Sequence, residues 1–409
     1  MTRTISRRAR VGVALSAAVV VTVAGVVGTT IAVADPAEGT VVNAGADDAV
    51  AGKYIVALKN TTDHTATDRL AETYGATVDH RYRAAIRGFS ARMDETQAKR
   101  MAADPGVASV EAVRAVRSDA PAPTAAPAAS EVSSWGLDRI NQRDLPLDGD
   151  ATRSDADGGA GVTVYVLDSG VRVTHEEFEG RAVSGWDFVD NDPDANDACG
   201  HGTHVAGTVA GKNFGVAPKA EIVSVRVQSC DLTLVAADSV LAGVDWVTAN
   251  AKRPAVVNMS LGYPGSSPAL ENAIRGSIAS GITYSIAAGN YFVPACMFYP
   301  SNVREAIVVA NSNQGDGRAP ESQWGDCVDL FAPGTDIVSS TFDSDQSSGA
   351  KSGTSMAAPH VAGAAALYLA HNPGASPEDV RGALVGSATP DKIGFAFPGT
   401  PNLLLYTGS

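Results

Sequence analysis

Four polar residues stand where this chain could do chemistry: Asp168, His201, Asn290 and Ser355. Asp168 closes the apolar run VTVYVL, and Asn290 follows Ala287-Ala-Gly289. His201 opens the helix-like stretch HGTHVAG, and Ser355 stands near the start of another, GTSMAAPHVAG. A serine hydroxyl is a poor nucleophile near neutral pH until a base takes its proton. Imidazole is such a base, and a buried carboxylate fixes its tautomer and stabilises the imidazolium. The tetrahedral intermediate then needs donors, which a backbone N–H at a helix start and an asparagine amide both supply. Singly, each residue has a duller explanation: helix caps for Asp168 and Ser355, a satisfied polar group for His201, a turn for Asn290. Together, in the order Asp, His, Ser, they point to acyl transfer. Two other chemistries fail. Ser355 lacks the esterase elbow G-x-S-x-G, and His201 and His204 lack the spacing and glutamate of HExxH zinc sites.

The elements that must position these residues alternate along residues 132–409. Val162–Leu167, Glu221–Val227, Ala255–Leu261 and Ile282–Ala287 are short Val/Ile-rich runs of the kind buried on both faces of a sheet. Helical stretches lie at His201–Ala210, Leu234–Asn250, Pro268–Ser280 and Thr354 to about Ala370. This order predicts an α/β fold of three layers around a mostly parallel sheet. Reactive residues then gather at the carboxyl ends of its strands.

A smaller unit precedes it. Between residues 53 and 117 the pattern reads β-α-β-β-α-β, a small α+β domain. It comprises strands at Lys53–Leu58, Thr77–Tyr82, Ala85–Met93 and Val107–Val113, with helices at Asp68–Tyr74 and Asp94–Ala103. An Ala/Pro-rich linker, residues 118–131, follows and is an extended target for proteolysis. At the N-terminus, Arg3, Arg7, Arg8 and Arg10 precede an apolar run and Ala32-Val33-Ala34. That is the pattern of a cleaved signal peptide over residues 1–34, with a polar leader at 35–52. An uncleaved membrane anchor is the alternative.

Charge is uneven. Residues 1–120 carry 15 Lys/Arg against 13 Asp/Glu, and residues 121–409 carry 16 against 32, for −14 in all. So acidic a main region disfavours nucleic acid or an anionic membrane and suits bound cations. The four cysteines, all beyond residue 190, fit an oxidising destination, and their pairing has three possibilities.

The motifs Val166-Leu-Asp168-Ser-Gly170, HGTHVAG at 201–207 and GTSMAAPHVAG at 353–363 closely resemble those of the subtilisin-like serine proteases. Trp135-Gly-Leu-Asp-Arg-Ile140 and Cys327-Val-Asp-Leu-Phe-Ala-Pro-Gly334 are similar to the proteinase K branch, its aqualysin-type members in particular. Residues 53–117 resemble that family's inhibitor propeptide. The resemblance implies a secreted, monomeric endopeptidase with Asp168, His201 and Ser355 as its triad and Asn290 as oxyanion donor. His204 and His360 would be structural. Substrate would pair with Ser260-Leu261-Gly262, and Ala287, Ala288 and Gly289 would floor an S1 pocket for aromatic and aliphatic side chains. Tyr263 would narrow the more distant pockets. The resemblance further implies Cys199–Cys230 and Cys296–Cys327 bridges and no organic cofactor. Calcium would be held at Asp329 with main-chain oxygens near Arg304 and Ala306. A second site would use Asp138, Gln142, Asp148 and Asp150, and a third Asp187 and Asp192. The partners implied are polypeptide substrates and the chain's own propeptide, without nucleic acid or stable membrane association. A catalytically silent relative that binds peptides or surfaces is the competing function.

Overall fold

The computed structural model describes residues 36–409, except 64, 117–134, 154–156, 231–234 and 409. The signal, the linker and any maturation site within it lie outside the described residues. Residues from Ala37 onward group into one unit.

Alternation of side chains builds the central layer. Along the Thr163–Asp168 strand, Val164 and Val166 enter one core while Tyr165 and Leu167 enter another. A strand with both faces buried needs a cover on each side. His201–Ala210, Thr354–His371 and Pro377–Ser387 cover one face, and Ala237–Asn250 and Pro268–Ala279 the other. The sheet has nine strands, in the order Thr389–Pro390, Leu403–Leu404, Leu330–Pro333, Ile307–Ser312, Thr283–Ala287, Ala255–Met259, Thr163–Asp168, Glu221–Arg226 and Ala182–Asp187. All neighbours run parallel except the first pair. This is the three-layer α/β architecture expected from the pattern.

The N-terminal domain is a sheet ordered Val41–Val42, Val107–Val116, Ala49–Leu58, Gly88–Arg92 and Thr77–Tyr82. Helices Ala66–Tyr74 and Glu95–Ala102 cover one face, where Leu70, Ala98 and Met101 pack on Val56, Phe89 and Val110. Asp94 caps the second helix with a capping box closed by Gln97. Among the described residues, the sheet's other face has no helix of the N-terminal domain on it. Ile55, Tyr82 and Val113 instead join the core around Ala237–Asn250 and Pro268–Ala279. The small sheet therefore borrows its second cover from the larger domain.

Two readings depart from expectation. Residues 35–52, read as a polar leader, supply the strand Val41–Val42 and the start of Ala49–Leu58, both paired with Val107–Val116. The stretch read as a helix from Leu234 is helical only from Ala237, because Val235–Ala236 pairs antiparallel with Ala115 and Val116. Interstrand hydrogen bonds there override local helix propensity.

Candidate active site

Asp168 is the last residue of its strand and fully buried. Its Oδ1 accepts from His201 Nδ1 at 2.7 Å and from the Ser169 N–H at 2.7 Å. His201 is the first residue of the His201–Ala210 helix. The next position must be glycine, since a Cβ on Gly202 would lie 2.1 Å from the Gly170 carbonyl oxygen. Only that close approach lets the helix start deliver the imidazole to the strand end.

Asp197 holds this helix start in place and was not singled out as a site residue from sequence. It is buried and accepts from the N–H groups of Cys199, Gly200 and Thr203 and from the Ser169 hydroxyl. An acidic residue shortly before a helix start is a capping signal, and here it orients the loop that leads into His201. The Cys199–Cys230 bridge, with Cα atoms 5.4 Å apart, ties the same loop to the chain beyond the Glu221–Arg226 strand. Cys296 joins Cys327.

Ser355 is the second residue of the Thr354–His371 helix, whose start is set by Gly353 at φ 141°. Its Oγ donates to the Ser260 carbonyl at 3.2 Å, and Ser260 Oγ donates to the Ser355 carbonyl at 2.8 Å. Asn290 is locked from one end. Its Oδ1 accepts from the Thr354 N–H and hydroxyl at 2.9 and 3.0 Å. Its Nδ2 hydrogens are thereby left as the donor that Asn290 offers to the cleft it lines.

That cleft holds about 490 Å³ of space, part of it open to solvent. His201, Ser355, Asn290, Ser260, Leu261, Gly262, Ala287 and Gly289 all line it. Ala288, expected in the floor, packs away with Val308, Ala310 and Cys327, because consecutive side chains on extended chain face opposite ways. Tyr263 is also placed differently from the sequence reading. It is 1% exposed, packs 5.4 Å from the Tyr299 ring and lines the cleft from within the core, so it does not project over outer pockets. Burial pushes its phenol well above the ordinary value. Gln228, which sequence reading passed over, lines the cleft beside His201.

The other histidines near the site are held neutral by burial. His204 is lowered to about 3, its Nε2 lying 2.9 Å from the Ile337 carbonyl oxygen. His360 is lowered to about 4, its Nδ1 lying 2.8 Å from the Met356 carbonyl oxygen.

The three expected cation sites differ in fit. Asp138 has a buried Oδ1 without a protein partner, while Oδ2 accepts from Gly149 N–H at 3.0 Å. Burial raises its pKa, and the charge of Asp148 adds to that, which a cation would reverse. Gln142, Asp148 and Asp150 share the adjoining loop, oxygen-rich as calcium requires. The other two donor sets do not fit. Both oxygens of Asp329 are already engaged, Oδ1 by the Arg381 guanidinium at 3.0 Å and Oδ2 by the Val308 N–H at 2.8 Å, which leaves the main-chain oxygens near Arg304 and Ala306 without a free carboxylate beside them. Asp187 is paired with Arg226 at 2.6 Å, and Asp192 Oδ1 accepts from Asp194 N–H. Arginines supply the positive charge there.

The N-terminal domain is anchored on the Ala237–Asn250 and Pro268–Ala279 helices and extends to the edge of the cleft. Asp245 accepts from the N–H groups of Arg83, Ala84 and Ala85, and Lys53 Nζ lies 2.8 Å from buried Asp238. Glu111 accepts from Ala269 N–H at the start of the Pro268–Ala279 helix. Arg114 donates to the Pro264 carbonyl at 2.8 Å, one residue from the cleft wall.

A carboxylate–imidazole pair at a strand end, a serine at a helix start and an amide donor in one cleft define a serine hydrolase that acts on an extended chain. Comparison with known proteins agrees. Residues 159–402 match the model of the subtilase family, peptidase S8, and residues 53–118 match that of peptidase inhibitor I9. The chain belongs to the subtilase family of serine proteases. It is 46% identical over 333 residues to the extracellular serine proteinase of Thermus sp. (strain Rt41A), covering 81% of this chain and 78% of that protein. It is 42% identical over 386 residues to alkaline serine exoprotease A of Vibrio alginolyticus, covering 91% and 70%. Among solved structures, a cold-adapted subtilisin-like serine proteinase superposes with TM-score 0.65 at 49% identity, over 68% of this chain and 99% of that one. Fervidolysin from Fervidobacterium pennivorans shares the fold at TM-score 0.73 and 23% identity, over 91% and 62%.

Proposed function

We propose that the chain is an exported, self-processing endopeptidase in which Ser355 is the nucleophile, His201 the base, Asp168 its orienting carboxylate and Asn290 the oxyanion donor. The 2.7 Å Asp168–His201 hydrogen bond, which orients a histidine lining the same cleft as Ser355 and Asn290, carries this reading. Ser355 Oγ leaves the Ser260 carbonyl, gives its proton to His201 Nε2 and bonds to the scissile carbonyl carbon. The carbonyl oxygen gains the negative charge and is met by the Asn290 amide and the Ser355 N–H. The C–N bond then breaks, His201 returns the proton to the leaving amine, and water repeats the sequence on the acyl-serine. Export is supported by the N-terminal pattern and by a relative named as extracellular. Among the described residues no helix is long and apolar enough to cross a membrane. Residues 53–117 act as intramolecular inhibitor, a role that fits their seat on the two helices and Arg114 beside the cleft wall. Residues 118–131 then contain the processing site, and 132–409 form the peptidase domain.

The side chains around Ala287 and Gly289 are small, which suits a large apolar P1 group and discriminates loosely among such groups. Profiling with a peptide library should give kcat/KM at least about tenfold higher for Phe or Leu than for Lys at P1. A preference for basic P1 would show the pocket assignment to be wrong.

Calcium fits the Asp138 loop, where it would supply charge balance and hold residues 138–150 in shape. A cation present at a hundred times its Kd contributes about 2.7 kcal/mol, or roughly 5 °C in Tm for a domain of this size. Chelator should lower Tm by that amount in the parent and leave Asp138→Asn unmoved. Equal chelator shifts in both would place the cation elsewhere.

A further inference from the structure

Three phenylalanines on the surface, Phe292, Phe395 and Phe397, are 46%, 89% and 37% exposed. All three also hold left-handed backbone, at φ 54°, 59° and 71°. Bulky side chains rarely adopt that conformation, and strain of this kind concentrates at functional positions. Burial does not offset it at Phe395, which is almost wholly in solvent.

Phe292 and Phe397 form one patch, and Phe395 stands two residues from Phe397 on the same loop, its carbonyl held by Arg318. Phe292 and Phe397 meet edge to face at 5.1 Å, and Trp324 lies 5.2 Å from Phe397. The Arg318 guanidinium sits 4.9 and 4.8 Å from the Phe292 and Phe397 ring centroids. Arg318 also donates to the carbonyls of Phe395, Ala319 and Ser322, so its charge is spent on building the platform. The loop's base is clipped by a reciprocal pair of hydrogen bonds between Ile393 and Asn402. The patch continues from the cleft, since Tyr291 lines the cleft beside Asn290 and Phe292 follows it.

We propose that this patch is an exosite that holds apolar side chains of long polypeptide substrates beyond the cleft, an inference that rests on the endopeptidase reading. Aromatic faces receive aromatic and aliphatic side chains well. An overall charge of −14 disfavours an anionic lipid surface as the occupant.

The test replaces Phe395 by Gly and Phe397 by Asn together, residue types that accept left-handed backbone. Casein and a tetrapeptide anilide with Phe at P1 are compared on the active, self-processed enzyme. Casein kcat/KM should fall about five- to tenfold, mainly through KM, with anilide hydrolysis unchanged and Tm equal or higher. Phe395→Tyr should keep the casein rate. The proposal is overturned if casein hydrolysis is unchanged, or if both substrates and Tm fall together, as a structural role requires. It is equally overturned if the double variant loses only adsorption to phosphatidylcholine vesicles or to chitin. A parent enzyme that cleaves neither substrate sinks the endopeptidase reading, and the exosite with it.

Discussion

Replacing Ser355 by Ala is expected to lower peptide hydrolysis on the order of 10⁶-fold in kcat and to leave the precursor uncut. In the proposed mechanism Ser355 Oγ is the atom that bonds to the scissile carbon, so neither His201 nor Asn290 can substitute for it. Folding should survive the change. Ser355 Oγ makes one 3.2 Å hydrogen bond, to the Ser260 carbonyl, while the helix start stays anchored by Ser260 Oγ on the Ser355 carbonyl and by Thr354 on Asn290. Two measurements decide the matter: mass spectrometry of the secreted variant, and labelling by a fluorophosphonate. The parent should label and mature, and the variant should do neither. Maturation of the variant without added protease would refute self-processing, and a parent that never labels would favour a silent peptide-binding relative.

Asp168→Asn should cost about 10⁴-fold in kcat with little change in substrate binding. Asp168 is fully buried, and its Oδ1 already serves both His201 Nδ1 and the Ser169 N–H. Its Oδ2 is buried without a hydrogen-bond partner. Asparagine removes the charge that stabilises the imidazolium. It must also either present NH₂ to His201, which reverses the tautomer, or leave that NH₂ where Oδ2 finds no partner. Both orientations impair the base, and neither alters the other residues that line the cleft. Saturation kinetics on a peptide anilide therefore should show kcat collapsing while KM holds. A loss of less than about tenfold would mean that His201 does not act as the base.

Much of this design was legible in order and type. The β-α alternation fixed a parallel sheet because a strand apolar on both faces demands covers on both sides, as Val164 and Tyr165 show. The motif residues fell at strand and helix ends because glycines such as Gly202 permit the approach there. The sequence pattern could not reveal contacts between segments far apart in the chain. Val235–Ala236 became a strand only because Ala115 and Val116 lie alongside. Asp329 looked like a cation ligand until Arg381, 52 residues away, arrived beside it. Asp197 read as one acid in a loop of acids, yet it gathers the backbone around His201.

By itself, then, the sequence determined the layers and placed the candidate reacting groups at strand and helix ends, both of which depend on local periodicity and residue chemistry. Only the tertiary structure decided which acids are neutralised by arginine, which small residues face the cleft, and which aromatic rings are held in solvent. Those outcomes depend on neighbours brought close by packing, and spacing along a chain carries no record of them.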